Sequence, residues 1–385
     1  MTDDSGNRAQ TGTRVLFVHN IMAPYRLPIF RELSRAIALR MFFLRKTDVR
    51  RLWKVPTTEL SFDYTVARGP GVGNCSIPFN LCWELARKRY DVFITGETFA
   101  ETVPSCLILI FFKYMRGSKV ILMTEYFERE SWLNRDGAMK RLKRTAYRTY
   151  LKFLYSRCDA FVACSSKAAG QLKQMGVDNR KIFLSPQAVF DAQPLPGRDP
   201  EQKKGGKRPV TILTVAYLSD TKGIDLLIRA FAALNNPHSK LVIAGEGEIR
   251  PKLEALASGR EDIEFAGHVE GVEKRALFEA ADLFVLPSHL ETWGLVVNEA
   301  MHYGLPVIIT DAMGSTDLID GNGIIIEAGD QDALIHALKE LVENPHARTR
   351  MGERSREIIR LVDLHAVTEP FFAAVGHVLG QEAQR

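Results

Sequence analysis

The stretch Leu283–Thr310, LFVLPSHLETWGLVVNEAMHYGLPVIIT, decides the fold. A short apolar run, Leu283–Leu286, reads as a buried strand, and Pro287 and Ser288 take the chain out of the sheet. A loop bearing Glu291 follows, and a helix is expected to begin near Gly294. A second apolar run, Val307–Thr310, then closes a strand–loop–helix–strand unit, the building block of a parallel sheet. At such a junction the N–H groups of Trp293, Gly294 and Leu295 point out of the helix start, where phosphate oxygens bind well. Gly294 has no side chain to hold a ligand away from the backbone. Glu291 and Glu299 near that end have two open readings. They are acceptors for the hydroxyls of a bound nucleotide sugar, or exposed helix-start acids favoured by the dipole.

Working outward, the same alternation fills the C-terminal half. Val210–Tyr217, Leu241–Ala244, Ile263–Phe265 and Gly323–Ile326 are further strand candidates. In the N-terminal half Arg14–His19, Asp91–Thr95, Lys119–Thr124 and Ala160–Cys164 read as strands. Pro28–Leu39, Asn80–Lys88, Val103–Met115 and Met139–Tyr155 read as helices. Between the halves, 191–208 is rich in Pro, Gly and charge with little to bury, and is expected to be a linker. The expected layout is an N-terminal Rossmann-like domain over 14–190, a C-terminal one over 209–366, and a tail over 367–385. Ligands in this architecture bind at the carboxyl ends of the strands, in a cleft expected between the two domains.

Composition allows a soluble α/β protein and excludes other classes. The 385 residues suit two domains, with 46% hydrophobic and 25% charged residues. Five cysteines (Cys75, Cys82, Cys106, Cys158, Cys164) form no C-x-x-C pair, which argues for reduced thiols in a cytoplasmic setting. The polar start has no apolar core of a signal peptide, and Cys106–Phe112 is too short to span a bilayer. The scattered histidines offer no zinc site. Asp330-Gln331-Asp332 is formally D-x-D but opens a helical pattern, so Asp330 is expected to be an N-cap. No clear strand pattern precedes Gly69, Gly71 and Gly73 and a proline interrupts them, so no dinucleotide fingerprint is expected there.

The motifs resemble a known family. Glu291, seven residues and Glu299 match the E-x7-E signature of the retaining glycosyltransferase family 4, whose GT-B fold has two facing Rossmann-like domains. Val215–Phe231 (VAYLSDTKGIDLLIRAF), Ile243–Ala257 (IAGEGEIRPKLEALA), GLPVIITDAMGSTDLI and GNGIIIEAGD are similar to further family segments in the same order. His19–Leu33 and Asp159–Pro186 resemble its N-terminal half more loosely. The resemblance implies that Glu299 binds the donor's ribose hydroxyls. It implies that Glu291 contacts the transferred sugar, and that Lys222 neutralises the departing diphosphate, a role suited to an ammonium. Gly245, His268 and Val269 fall where the family shapes its base site. The implied substrate is a UDP- or GDP-linked sugar, with no cofactor and no metal, and with no protein nucleophile needed for the retaining step.

Departures from the family matter. Ala216-Tyr217 stands where Gly-Arg is usual, so the second diphosphate cation is missing, and Arg26, beside Tyr25, is the expected substitute. Trp293 in place of phenylalanine is expected to narrow the sugar pocket. Met313-Gly314 and Asp317 replace Gly-Gly and Glu. In the N-terminal half Glu97 and Glu125 stand just past strands. They are candidates for orienting the acceptor hydroxyl, with Glu125 in a catalytic role, or else are plain helix-start acids.

Charge points to the acceptor. Residues 1–190 hold 31 Lys/Arg against 16 Asp/Glu, whereas 191–385 hold 20 against 30. Met139–Arg157 carries seven Lys/Arg, no acid, and apolar Met139, Leu142, Ala146, Tyr150, Phe153 and Leu154 at helical spacing. Together with Arg87-Lys88-Arg89 it suits an anionic membrane surface, hence a lipid-linked or anionic glycan acceptor at the inner face. Packing of the stripe into the domain is the other reading. No nucleic-acid-binding pattern is present. A non-catalytic nucleotide-binding subunit and a GT-B sugar-nucleotide epimerase are the alternatives to a transferase.

Overall fold

The computed structural model describes residues 11–46, 60–72, 75–97, 99–128, 138–190 and 208–381. The chain divides into two units, Met1–Pro186 with Leu364–Arg385, and Gln187–Asp363. Apart from Arg208, the expected linker lies outside the described residues.

The first unit opens with β1 (Thr11–Ile21), α1 (Leu27–Ala36) and β2 (Ile37–Arg45). Helix passes to strand at Ile37 with no loop, which corrects the expectation of one helix through Leu39. The run IALRMFFLR is buried at six of its nine positions, so it has no alternation to announce a strand. Then come β3 (Asp63–Val66), which corrects the expectation of no strand ahead of Gly69, the antiparallel pair β4 (Gly71–Val72) and β5 (Cys75–Ser76), and α2 (Phe79–Arg87). After them follow β6 (Val92–Gly96), α3 (Phe99–Arg116), β7 (Lys119–Thr124) and α4 (Ala138–Tyr155). The last part is β8 (Ala160–Ala163), α5 (Ser166–Gln174) and β9 (Ile182–Leu184). Ser165 caps α5 by accepting the Ala168 N–H at 3.1 Å. The parallel sheet runs β3-β2-β1-β6-β7-β8-β9.

The second unit holds β10 (Val210–Val215), α6 (Ile224–Leu234), β11 (Ser239–Ala244), α7 (Arg250–Leu256) and β12 (Ile263–Gly267). It continues with α8 (Gly271–Ala280), β13 (Leu283–Leu286), α9 (Leu295–His302), β14 (Val307–Thr310) and β15 (Gly323–Ile326). It closes with α10 (Gln331–Glu343) and α11 (Pro345–Arg360). Strand order is β12-β11-β10-β13-β14-β15, all parallel. β13 and β14 are buried throughout, as strands covered on both faces are. Asp330 accepts the Ala333 N–H at 2.9 Å and is the N-cap of α10.

The last helix, α12 (Leu364–Val378), belongs to the first unit. Ser185 Oγ donates to the Val367 carbonyl at 2.8 Å, and the Phe371 ring packs 5.9 Å from Phe17. In each unit the strand order reverses beside its first strand, at β1/β6 and at β10/β13. The carboxyl ends at such a reversal are where an open α/β sheet binds ligands.

Candidate functional site

Lys222 and Glu291 stand on opposite sides of the second unit's reversal point. β10 ends at Val215, and the chain turns through a short 3₁₀ segment, Asp220–Lys222. Gly223 follows at φ 65°, and a Cβ there would collide with the Pro287 carbonyl oxygen. The glycine therefore lets the loop after β10 lie directly on the loop after β13. His289 N–H donates to the Thr221 carbonyl at 2.8 Å and fastens the two. Glu291 is fixed in turn by its N–H to Ala312 O at 3.1 Å and by Gly314 N–H to its own carbonyl at 3.1 Å. On this frame the Lys222 ammonium forms an ion pair with the Glu291 carboxylate, both side chains about four-fifths shielded.

Gly294 is the N-cap of α9 at φ 91°, so the helix starts at Leu295, as the sequence predicts. Glu299 is its fifth residue. Helical side chains tilt toward the N-terminus, which brings this carboxylate back toward the helix start. There Lys274, from the first turns of α8, meets it at 2.6 Å. Sequence reasoning missed Lys274, because nothing in GVEKR distinguishes it from a solvated helix lysine.

The Trp293 ring corrects an expectation. It is 2% exposed, packed in a core cluster with Leu286, Val297 and Met313. Its Nε1–H donates to Asn298 Oδ1 at 2.8 Å, and Asn298 Nδ2 donates to the Gln187 carbonyl at 2.8 Å. The ring anchors the start of α9 and does not narrow a sugar pocket; only its main chain is left for a ligand. At the neighbouring strand ends, Gly245 adopts φ 140°, and a Cβ there would collide with the Ala216 carbonyl oxygen. Gly245 N–H donates to Gly267 O at 2.7 Å, so the turns after β10, β11 and β12 converge. His268 is exposed, its Nε2 3.1 Å from Glu270, and Val269 beside it is half-buried. Tyr217 is exposed.

In the first unit Tyr25, Arg26, Glu97 and Glu125 all lie just past carboxyl strand ends. Arg26 is buried, with its guanidinium paired to Glu125 and 3.8 Å from Met123 Sδ. Burial opposes its charge, but Tyr25 and Glu125 more than offset that and raise its pKa. Arg26, the expected substitute cation, is thus engaged with Glu125 inside this unit. The adjacent His19 is pushed down to about 3 by burial and by Arg26. Glu97 accepts hydrogen bonds from Thr124 Oγ1 and from Tyr155 OH, the latter at 3.0 Å. Burial, aided by the Glu125 charge, pushes its carboxyl up to about 7 against those bonds. Its Oε2 is buried with no hydrogen bond.

The apolar stripe expected on α4 splits. Tyr147, Leu151 and Leu154 face the core, whereas Leu142, Ala146 and Phe153 are exposed. α2 (Phe79, Trp83) and α3 (Leu107, Phe111, Tyr114, Met115) also carry exposed apolar side chains. The Arg157 guanidinium lies 5.0 Å from the Phe153 ring and 5.9 Å from Tyr114, and Arg87 lies 3.8 Å over Trp83. Among the described residues no helix is long and apolar enough to cross a membrane, and no three His, Cys, Asp or Glu residues gather as metal ligands.

The two parallel-sheet Rossmann-like units give the chain the GT-B glycosyltransferase fold. Residues 198–358 match the family of group 1 glycosyl transferases. The Arabidopsis thaliana sulfoquinovosyl transferase SQD2 is 29% identical over 57% of this chain and 45% of its own length, so the chain spans less than half of that relative. A Corynebacterium glutamicum GDP-mannose-dependent monoacylated alpha-(1-6)-phosphatidylinositol monomannoside mannosyltransferase is 25% identical over 77% of this chain and 80% of its own. The crystal structure of Anabaena HepE in complex with UDP and glucose superposes with a TM-score of 0.70 at 14% identity, covering 94% of this chain and 99% of that one.

Proposed function

We propose that the chain is a retaining glycosyltransferase that moves a sugar from a UDP- or GDP-linked donor to a lipid-linked or glycan acceptor at the cytoplasmic face of an anionic membrane. The observation that carries this reading is the Lys222–Glu291 pair across the β10/β13 reversal, with Glu299 one turn into the following helix. The reaction develops negative charge on the leaving diphosphate and positive charge at the anomeric carbon. The Lys222 ammonium and the N–H groups of Gly294 and Leu295 meet the first as preorganised charge and dipoles. Glu291 supports the second, and Glu299 holds the donor through its ribose hydroxyls. The bond from the anomeric carbon to the phosphate oxygen breaks as the acceptor oxygen attacks the same face. The freed phosphate oxygen takes the acceptor proton, so neither a protein nucleophile nor a metal enters. Gly245, His268 and Val269 border the base, and in the first unit Tyr25, Glu97 and Glu125 orient the acceptor.

Transfer tests the site. Lys222→Ala and Glu299→Ala each lower it by about 100-fold or more, the cost of removing one preorganised charged group; near-native rates in both would sink the assignment. Exposed Tyr217 favours a second reading, a non-catalytic nucleotide-binding subunit. Nucleotide binding without turnover on any acceptor would support it.

The membrane part rests on the exposed apolar and aromatic side chains of α2, α3 and α4 among arginines. Aromatic rings and arginine stems suit the headgroup boundary, and the net charge suits anionic lipid. Co-sedimentation with phosphatidylglycerol vesicles should exceed that with phosphatidylcholine vesicles severalfold, and Trp83→Ala/Phe111→Ala should reduce it. Equal, weak sedimentation with both lipids would contradict docking.

A further inference from the structure

Tyr217 leaves the donor site one cation short of its family's pattern, and Arg26 is buried against Glu125. We propose that Lys274 is the missing cation: released from Glu299 by the donor's ribose hydroxyls, its ammonium takes up the donor's diphosphate. The inference rests on the donor reading above and adds a residue to it.

Topology puts Lys274 in position. α8 leaves the carboxyl end of β12, as α9 leaves that of β13, so Lys274 and Glu299 both belong to the ligand-binding edge. The two meet at 2.6 Å and are largely shielded from water, with 29% and 22% of each side chain exposed. Lys222, Glu291, Lys274 and Glu299 together are neutral. Without Lys274 they carry a net charge of −1, which repels an anionic diphosphate at close range.

Lys222 already has its part in the donor reading, whereas Arg250 and Lys252 near this edge are held by acids to which that reading gives none. Arg250 is placed between Glu246 and Glu254, and Lys252 is paired with Asp220. Lys274 differs because its partner is the carboxylate that ribose hydroxyls engage. A hydroxyl occupying Glu299 Oε2 displaces the ammonium from that oxygen, and a flexible lysine stem can carry it to the nearest phosphate. The ion pair would thus store a cation in the empty site and deliver it when a donor arrives.

The experiment uses the full chain and compares UDP and GDP with uridine and guanosine. Calorimetry follows the diphosphates and ligand-detected NMR the weaker nucleosides. Lys274→Met should weaken nucleoside diphosphate binding at least tenfold and flatten its dependence on salt. Nucleoside binding should change less than twofold, and Lys274→Arg should restore diphosphate affinity to within a few-fold of native. If nucleoside and diphosphate weaken by the same factor, Lys274 only holds Glu299 in place and the inference is wrong. Native diphosphate affinity in Lys274→Met also overturns it. Failure of the native chain to bind any nucleotide is a different result, and it removes the donor reading itself.

Discussion

The two sheets reverse their strand order in the same way beside the first strand, but their carboxyl edges handle acids in opposite ways. In the second unit Glu291 and Glu299 each face a lysine, the first pair on loops drawn together by Gly223 and the second on the helices α8 and α9. Such pairs can exchange partners with a ligand that brings hydroxyls to the carboxylate and phosphate oxygens to the ammonium. In the first unit Arg26 satisfies Glu125 from within the fold, while Glu97 is held by the hydroxyls of Thr124 and Tyr155. One edge is built to trade charge, and the other carries a carboxyl that burial pushes up to about 7. That difference fits an anionic donor on the second unit and a neutral hydroxyl acceptor on the first.

The comparison sharpens most under a change at the glycine that lets the second unit's loops converge. Gly245→Ala places a side chain against the Ala216 carbonyl at a φ that disfavours it. It should cost about 3 kcal/mol of stability, read from denaturant unfolding. A loss under about 0.5 kcal/mol would mean that the loops are not held as tightly as the geometry implies.

A smaller effect belongs to the first unit. Because the folded-state pKa of Glu97 is raised to about 7, its protonated form favours the fold. The stabilisation is complete below the unfolded value of about 4.3 and is lost as pH rises through about 7. Glu97→Gln should therefore flatten the fall in stability between about pH 5 and 7.5, with its largest gain over native at the alkaline end. An unchanged pH profile would show that Glu97 titrates as an ordinary surface acid, and the contrast between the edges would disappear.

Legibility in the sequence divides along the same line. Leu283–Leu286, Val307–Thr310 and Gly323–Ile326 are strands with the bounds read from their apolar runs. One motif holds both acids of the second unit, because the loop and helix that carry them are consecutive. Lys274 escaped notice because its meeting with Glu299 depends on two helices from different crossovers. β2 was hidden because a strand buried on both faces continues the apolar pattern of the helix before it. In the first unit Glu97 and Glu125 follow different strands, and only strand order brings them near each other. Trp293 misled for another reason: its neighbours in sequence are loop residues, whereas its neighbours in space are core.

Thermal stability against nucleotides tests the central claim most directly, with native chain and Glu299→Ala measured side by side. A nucleoside diphosphate at about 100 times its dissociation constant should stabilise the native chain by about 2.7 kcal/mol. The account predicts that UDP or GDP produces this shift and that Glu299→Ala abolishes it. A shift that survives in Glu299→Ala, or no shift with any nucleotide, would contradict a donor site at the start of α9.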